Sequence, residues 1–195
     1  MIITIFGGSS PREGDTSYED ARQLGFQLGK AGHTLLTGGY VGVMEAVSRG
    51  GHEAGAHVIG ATCEQIEKSH PDRKPNPYLD EEWRYETLKD RLFALVERCD
   101  AAIAMPGGVG TLAEIAITWN EIIIAAFPPK PLILYGESWQ KTIRDFMHEM
   151  DGYIRQRDRD LIHYACDIPA TLSIIQSIPS SRGAFTLRNE QIHEQ

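Results

Sequence analysis

Three short apolar runs in this chain each stop at a glycine-bearing turn and restart as a helical stripe, and that repetition leaves few folds open. Met1–Phe6 (MIITIF) ends in Gly7-Gly8-Ser9-Ser10-Pro11, His33–Thr37 (HTLLT) in Gly38-Gly39-Tyr40-Val41-Gly42, and Ala101–Met105 (AAIAM) in Pro106-Gly107-Gly108-Val109-Gly110. The stripes that follow are Ala21, Leu24, Gly25 and Leu28, then Val43, Met44 and Val47, then Leu112, Ile115 and Ala116. Strand, turn and helix in units this short imply parallel strands covered by helices on both faces. The predicted fold class is α/β, a Rossmann-like doubly wound parallel sheet. In 195 residues it forms a single domain. Parallel strands place all three turns on one edge, beyond the carboxyl ends where such sheets bind ligands.

The remaining elements follow from the same periodicities. Thr16-x-x-Glu19 has the form of a capping box for the first helix, Gly32 ends that helix, and Gly50-Gly51 closes the second. His57–Ile59 reads as a third strand. Glu64–Glu82 is polar and proline-rich and reads as a loop, a lid or a subunit contact. Trp83–Thr87 fits a strand or a lead into the helix Leu88–Arg98, on which Arg91 has the bland reading of a snorkelling surface arginine. Ile117–Ala126 continues an apolar helix that suits a core or a dimer interface. Pro131–Tyr135 is a strand, and a helix runs from Gly136 to about Met150. Gly152–Asp167 reads as a charged surface helix, and Asp167-Ile168-Pro169 leads into a last helix, Ala170–Ser177. The domain is expected to span residues 1–178, with a mobile tail over 179–195.

The third unit carries the clearest chemistry. A glycine turn that opens a helix aims backbone N–H groups and the positive end of the helix dipole at an anion, and it lets a phosphate approach the main chain. Thr111 can cap that helix and donate its hydroxyl to a phosphate oxygen. Glu114 stands one turn on, beside the same place. Thr111-x-x-Glu114 also fits a capping box, so the acid has a purely structural reading as well.

Charge and motif spacing exclude several classes. A net charge of −8 argues against a nucleic-acid-coating surface and against a polybasic membrane anchor. No apolar run is long enough to span a bilayer, and the N-terminus lacks a basic leader. Cys63, Cys99 and Cys166 are odd in number and widely spaced, which fits reduced thiols and a cytoplasmic location. The seven histidines show no metal spacing, so no metal site is expected. Gly7-Gly8-Ser9-Ser10-Pro11 is not the GxGxxG of a nicotinamide dehydrogenase. Gly110-Thr111 has no Walker lysine before it, and neither glycine turn has a lysine nearby to carry pyridoxal phosphate.

Pro106–Glu114, PGGVGTLAE, matches a PGGxGTxxE motif and resembles the Lonely Guy family of cytokinin riboside 5′-monophosphate phosphoribohydrolases, members of which have been mislabelled lysine decarboxylases. The resemblance extends over Gly7-Gly8-Ser9-Ser10, over Gly38–Met44 (similar to a GGxxGxM segment), over the helix bearing Arg91, and to about Gly136. It departs where Arg91 is followed by Leu92 and not by lysine. The resemblance implies hydrolysis of the N-glycosidic bond of an AMP-like nucleoside 5′-monophosphate, releasing a free purine-type base and ribose 5-phosphate. It implies Glu114 and Arg91 as the catalytic pair. Gly8, Ser9, Gly39, Gly42, Met44, Gly107, Gly108, Gly110 and Thr111 are then expected around the substrate and its phosphate. It implies no cofactor, and a homodimer with active sites at the interface. The alternative is a non-catalytic carrier of a nucleotide or of molybdenum cofactor on the same fold, with Glu114 as a cap.

Overall fold

The computed structural model describes residues 1–128 and 130–177; the expected tail, 179–195, lies outside them. Seven strands form one sheet: β1 (Ile2–Phe6), β2 (Thr34–Thr37), β3 (Val58–Cys63), β4 (Glu81–Tyr85), β5 (Ala101–Ala104), β6 (Leu132–Tyr135) and β7 (Ile162–Ala165). All neighbours pair in parallel, in the order β4-β3-β2-β1-β5-β6-β7. The helices are α1 (Thr16–Lys30), α2 (Val43–Glu53), α3 (Glu64–Ser69), α4 (Leu88–Glu97), α5 (Val109–Ile123), α6 (Glu137–Glu149), α7 (Gln156–Arg159) and α8 (Ile168–Gln176). The predicted doubly wound α/β fold is what the chain adopts.

Strand alternation divides the core. Ile3, Ile5, Leu35, Ile103 and Ile133 face α1, α2 and α8, while Phe6, Leu36, Ala102, Leu132 and Leu134 face α4, α5 and α6. From β1 the chain builds outward through β2, β3 and β4. Helix α4 then carries it back, and β5 pairs with β1 in the register Ile3↔Ala101 to Phe6↔Ala104. Strand order therefore reverses between β1 and β5, which is where a cleft opens in sheets of this type. No helix among the described residues is long and apolar enough to cross a membrane.

Several local expectations are corrected. Gly50-Gly51 does not end α2; the helix runs on to Glu53 with both glycines buried. A Cβ on Gly50 would lie 1.9 Å from the Arg22 carbonyl oxygen, and one on Gly25 would lie 2.3 Å from that of Val47. These glycines are notches that let α1 and α2 meet backbone to backbone. The capping box at Thr16 is not made: Asp15 is the N-cap, and its carboxylate instead accepts from the Arg12 N–H at 2.8 Å. Glu64–Glu82 is not all loop, since it holds α3 and the start of β4. Gly152–Asp167 is not a helix. It contains the single turn α7 and then β7, whose Ile162 and Ala165 are buried in the cores on opposite faces of the sheet while His163 is exposed. The last helix starts two residues earlier than expected, with Asp167 accepting from the Ala170 N–H at 2.8 Å.

The α1–α2 notch gives a direct test. Gly50→Ala is expected to destabilise the fold by about 1–3 kcal/mol through overpacking. Gly110→Ala, where a Cβ meets nothing within 4 Å, is expected to stay within about 0.5 kcal/mol of wild type. Urea unfolding of the two variants measures both.

Candidate active site

The three glycine turns meet at the β1–β5 switch point. The Gly8 N–H donates to the Pro106 carbonyl (3.1 Å), and the Gly8 carbonyl accepts from the Val43 N–H that begins α2 (2.9 Å). Gly42 has φ +79°, and a Cβ there would lie 2.5 Å from the Gly8 oxygen, so both conformation and space require glycine. A Cβ on Gly107 would lie 2.2 Å from the Thr111 hydroxyl and 2.8 Å from the Gly8 nitrogen. Gly39, at φ +77°, packs on Gly60 and Thr62.

Above this junction lies a cavity of about 330 Å³. Gly8, Ser9, Met44, Arg91, Gly108, Gly110, Thr111 and Glu114 line it, whereas Gly39, Gly42 and Gly107 lie behind the wall and shape it. Tyr40 and Arg73 also line it, and nothing in the sequence singled them out as site residues. Tyr40 was visible only as part of a turn, and Arg73 lies in a proline-rich stretch without periodicity.

Helix α5 begins earlier than expected. Gly108 is the N-cap, the helix opens at Val109, and no side chain caps it. The first intrahelical bond runs from the Leu112 N–H to the Gly108 carbonyl at 3.0 Å. The N–H groups of Val109, Gly110 and Thr111 thus have no helical acceptor, and those residues line the cavity. The Thr111–Glu114 capping box is not formed: Thr111 is already inside the helix and Glu114 falls in its second turn. The structural account of Glu114 as a cap is thereby removed. Its carboxylate has no hydrogen bond or ion pair to protein among the described residues, and it opens on the cavity. Burial pushes its pKa up to about 7, and the positive charge of Arg91 works against that rise.

Arg91 is not a surface residue; it is 7% exposed. Its Nε donates to the Ala61 carbonyl (2.7 Å) and its Nη2 to the Gly38 carbonyl (3.0 Å), so one guanidinium ties the ends of β3 and β2 together. The Tyr40 ring lies 5.6 Å from the guanidinium carbon. The Tyr40 hydroxyl accepts from the Cys63 N–H at 2.7 Å, which holds the ring in place. Burial lowers the Arg91 pKa, and Glu114 opposes that shift. The two charges therefore sense each other across the cavity without an ion pair within 4.0 Å. The remaining edge of the guanidinium, Nη1, has no protein acceptor among the described residues. Among the described residues no group of three or more His, Cys, Asp or Glu side chains could hold a metal ion.

A model of the SLOG cluster4 family matches residues 1–160. A cytokinin riboside 5′-monophosphate phosphoribohydrolase of Arabidopsis thaliana is 29% identical over 89% of this chain and 82% of its own. A second one from that plant is 33% identical over 82% and 74%. Among solved structures, the molybdenum cofactor binding protein of Rippkaea orientalis superposes with a TM-score of 0.70 at 25% identity, covering 90% of this chain and 95% of that one.

The electrostatic coupling across the cavity can be read directly. In Arg91→Met the carbon-13 NMR titration of the Glu114 carboxyl is expected to shift its midpoint above the wild-type value of about 7; an unmoved midpoint would mean that the arginine's charge does not reach it.

Proposed function

This chain belongs to the SLOG cluster4 family and to the Lonely Guy group of phosphoribohydrolases within its reach, and from that premise we propose that it hydrolyses the N-glycosidic bond of a purine-type nucleoside 5′-monophosphate. Water is consumed, and a free base and ribose 5-phosphate are released. The observation that carries the reading is an unspent acid beside an unspent helix N-terminus: the Glu114 carboxylate and the first amides of α5 line one cavity and serve no structural bond among the described residues.

The uncapped amides and the Thr111 hydroxyl seat the 5′-phosphate. That binding, remote from the bond that breaks, positions the ribose. As the C1′–N bond lengthens, positive charge develops on the sugar, and a carboxylate placed beside it stabilises that charge and orients the attacking water. Glu114 fills this role in its ionised form. Arg91 is locked by two backbone carbonyls, so it acts as a fixed cation that favours the carboxylate and turns its Nη1 edge toward ribose or phosphate oxygens. Leu92 in place of the family's lysine does not disturb these bonds. The same reading includes a homodimer, in which the exposed Leu112 and Ile123 of α5, Ile124 just after it and Phe146 of α6 meet a second copy.

Two measurements test the activity. Glu114→Gln is expected to keep binding the monophosphate while base release falls at least about a hundred-fold, the scale of one acid–base group. Tight binding without base release in the wild type itself would assign the chain to carriage, as for the molybdenum cofactor binding neighbour. For the wild type, kcat/KM is expected to rise as pH increases through about 7, where Glu114 loses its proton, and then to level off. A flat profile there would remove the ionised carboxylate from the mechanism. The second ionisation of the substrate's phosphate falls lower, at about 6.

A further inference from the structure

Arg73 is the cation of the cavity that the protein has left uncommitted. Arg91 spends two of its nitrogens on main-chain carbonyls. Arg84, on the neighbouring strand β4, is held by Glu67 at 2.7 Å. Arg73 lines the cavity and makes no ion pair or side-chain hydrogen bond among the described residues. Its backbone is nevertheless fixed. Its N–H donates to the His70 carbonyl at 2.9 Å, closing a turn. Three residues later the buried Asn76 pins the segment: its N–H donates to the Gly39 carbonyl (2.8 Å), and its Nδ2 donates to the Tyr40 carbonyl (3.1 Å) and to the Ser48 hydroxyl (3.4 Å). With the backbone already tethered, only the side chain remains to be ordered when it meets a ligand.

The charge balance of the lining points the same way. Arg73 and Arg91 face one cavity whose only acid among the described residues is Glu114, in a chain that is otherwise strongly acidic. Arg91 senses the charge of Arg73 as well as that of Glu114, and a single carboxylate cannot neutralise two guanidiniums. The positive charge left over in the cleft is relieved by an anionic ligand, and a guanidinium grips a phosphate through two parallel N–H bonds. We propose that Arg73 is a substrate-binding residue: from the far wall it closes onto the 5′-phosphate seated at the start of α5, and so makes the cleft select phosphorylated over unphosphorylated nucleosides. This rests on the phosphoribohydrolase reading above, in which that phosphate occupies the α5 terminus.

Calorimetric titration separates the two. Wild type, Arg73→Lys and Arg73→Ala are titrated with ribose 5-phosphate, AMP and adenosine, with thermal melting used to confirm that each variant is folded. Arg73→Ala is expected to weaken ribose 5-phosphate and AMP by about tenfold or more, the scale of a charge-assisted bond, with adenosine unchanged and Arg73→Lys in between. Turnover of AMP should show the loss in KM, with kcat near wild type. If wild type binds ribose 5-phosphate and Arg73→Ala binds it as well, the proposal fails while the activity stands. If adenosine is weakened as much as AMP, Arg73 reads the base and the proposal also fails. If wild type binds neither phosphorylated ligand, the phosphoribohydrolase reading falls, and this inference with it.

Discussion

The structure turns on the main chain of Gly8. This one residue follows β1, holds the turn after β5 through its N–H, and holds the start of α2 through its carbonyl. These bonds are possible only because Gly42 and Gly107 present no Cβ at the junction. A side chain at either position would push apart the two halves of the sheet where their order reverses. The same closeness that the packing demands also forms the site: with no side chains filling the rim, the uncapped amides of α5 stay open to the cavity. Fold and candidate function thus share a single geometric requirement.

Around that junction the protein sets two opposite charges in one cavity without joining them. Arg91 is satisfied by carbonyl oxygens of Ala61 and Gly38, dipoles that hold it in place but leave its charge uncancelled. Glu114 has only the distant field of that charge to support its ionised form, and its pKa settles near 7. A direct ion pair would have been better shielded, and it would have left nothing for a ligand. The arrangement costs stability. The carboxyl pKa is raised on folding, so the folded chain holds a proton that the unfolded chain has lost between about pH 4.5 and 7. The contribution of Glu114 to stability therefore declines with rising pH over the very range in which its ionised form appears.

Hydrophobic periodicity made most of the fold legible. The strands at β1, β2, β5 and β6 and the stripes of α1, α2 and α4 stand where alternation and 3.6-residue spacing put them. The failures share a cause, since each depends on what a segment packs against. Gly50-Gly51 has the composition of a helix stop, and only the nearness of α1 shows that it is a notch. Residues 152–167 are charged enough for a surface helix, yet an open edge at β6 draws Ile162–Ala165 into the sheet. Thr111-x-x-Glu114 satisfies a capping pattern in one dimension, and two residues of extra helix void it.

The amino-acid sequence by itself determined the class of fold, the single edge on which the glycine turns gather, and an acid beside it; Arg91 was marked only by the family resemblance. These are local or periodic properties, written in residue types and their spacing. Only the tertiary structure decided that Arg91 is buried and tethered, that Glu114 is free of any cap, and that Arg73 and Tyr40 join them. Burial and the partners of a polar group belong to contacts between segments far apart in the chain. Arg91 meets Gly38 across 53 residues, and no pattern within either segment records the other.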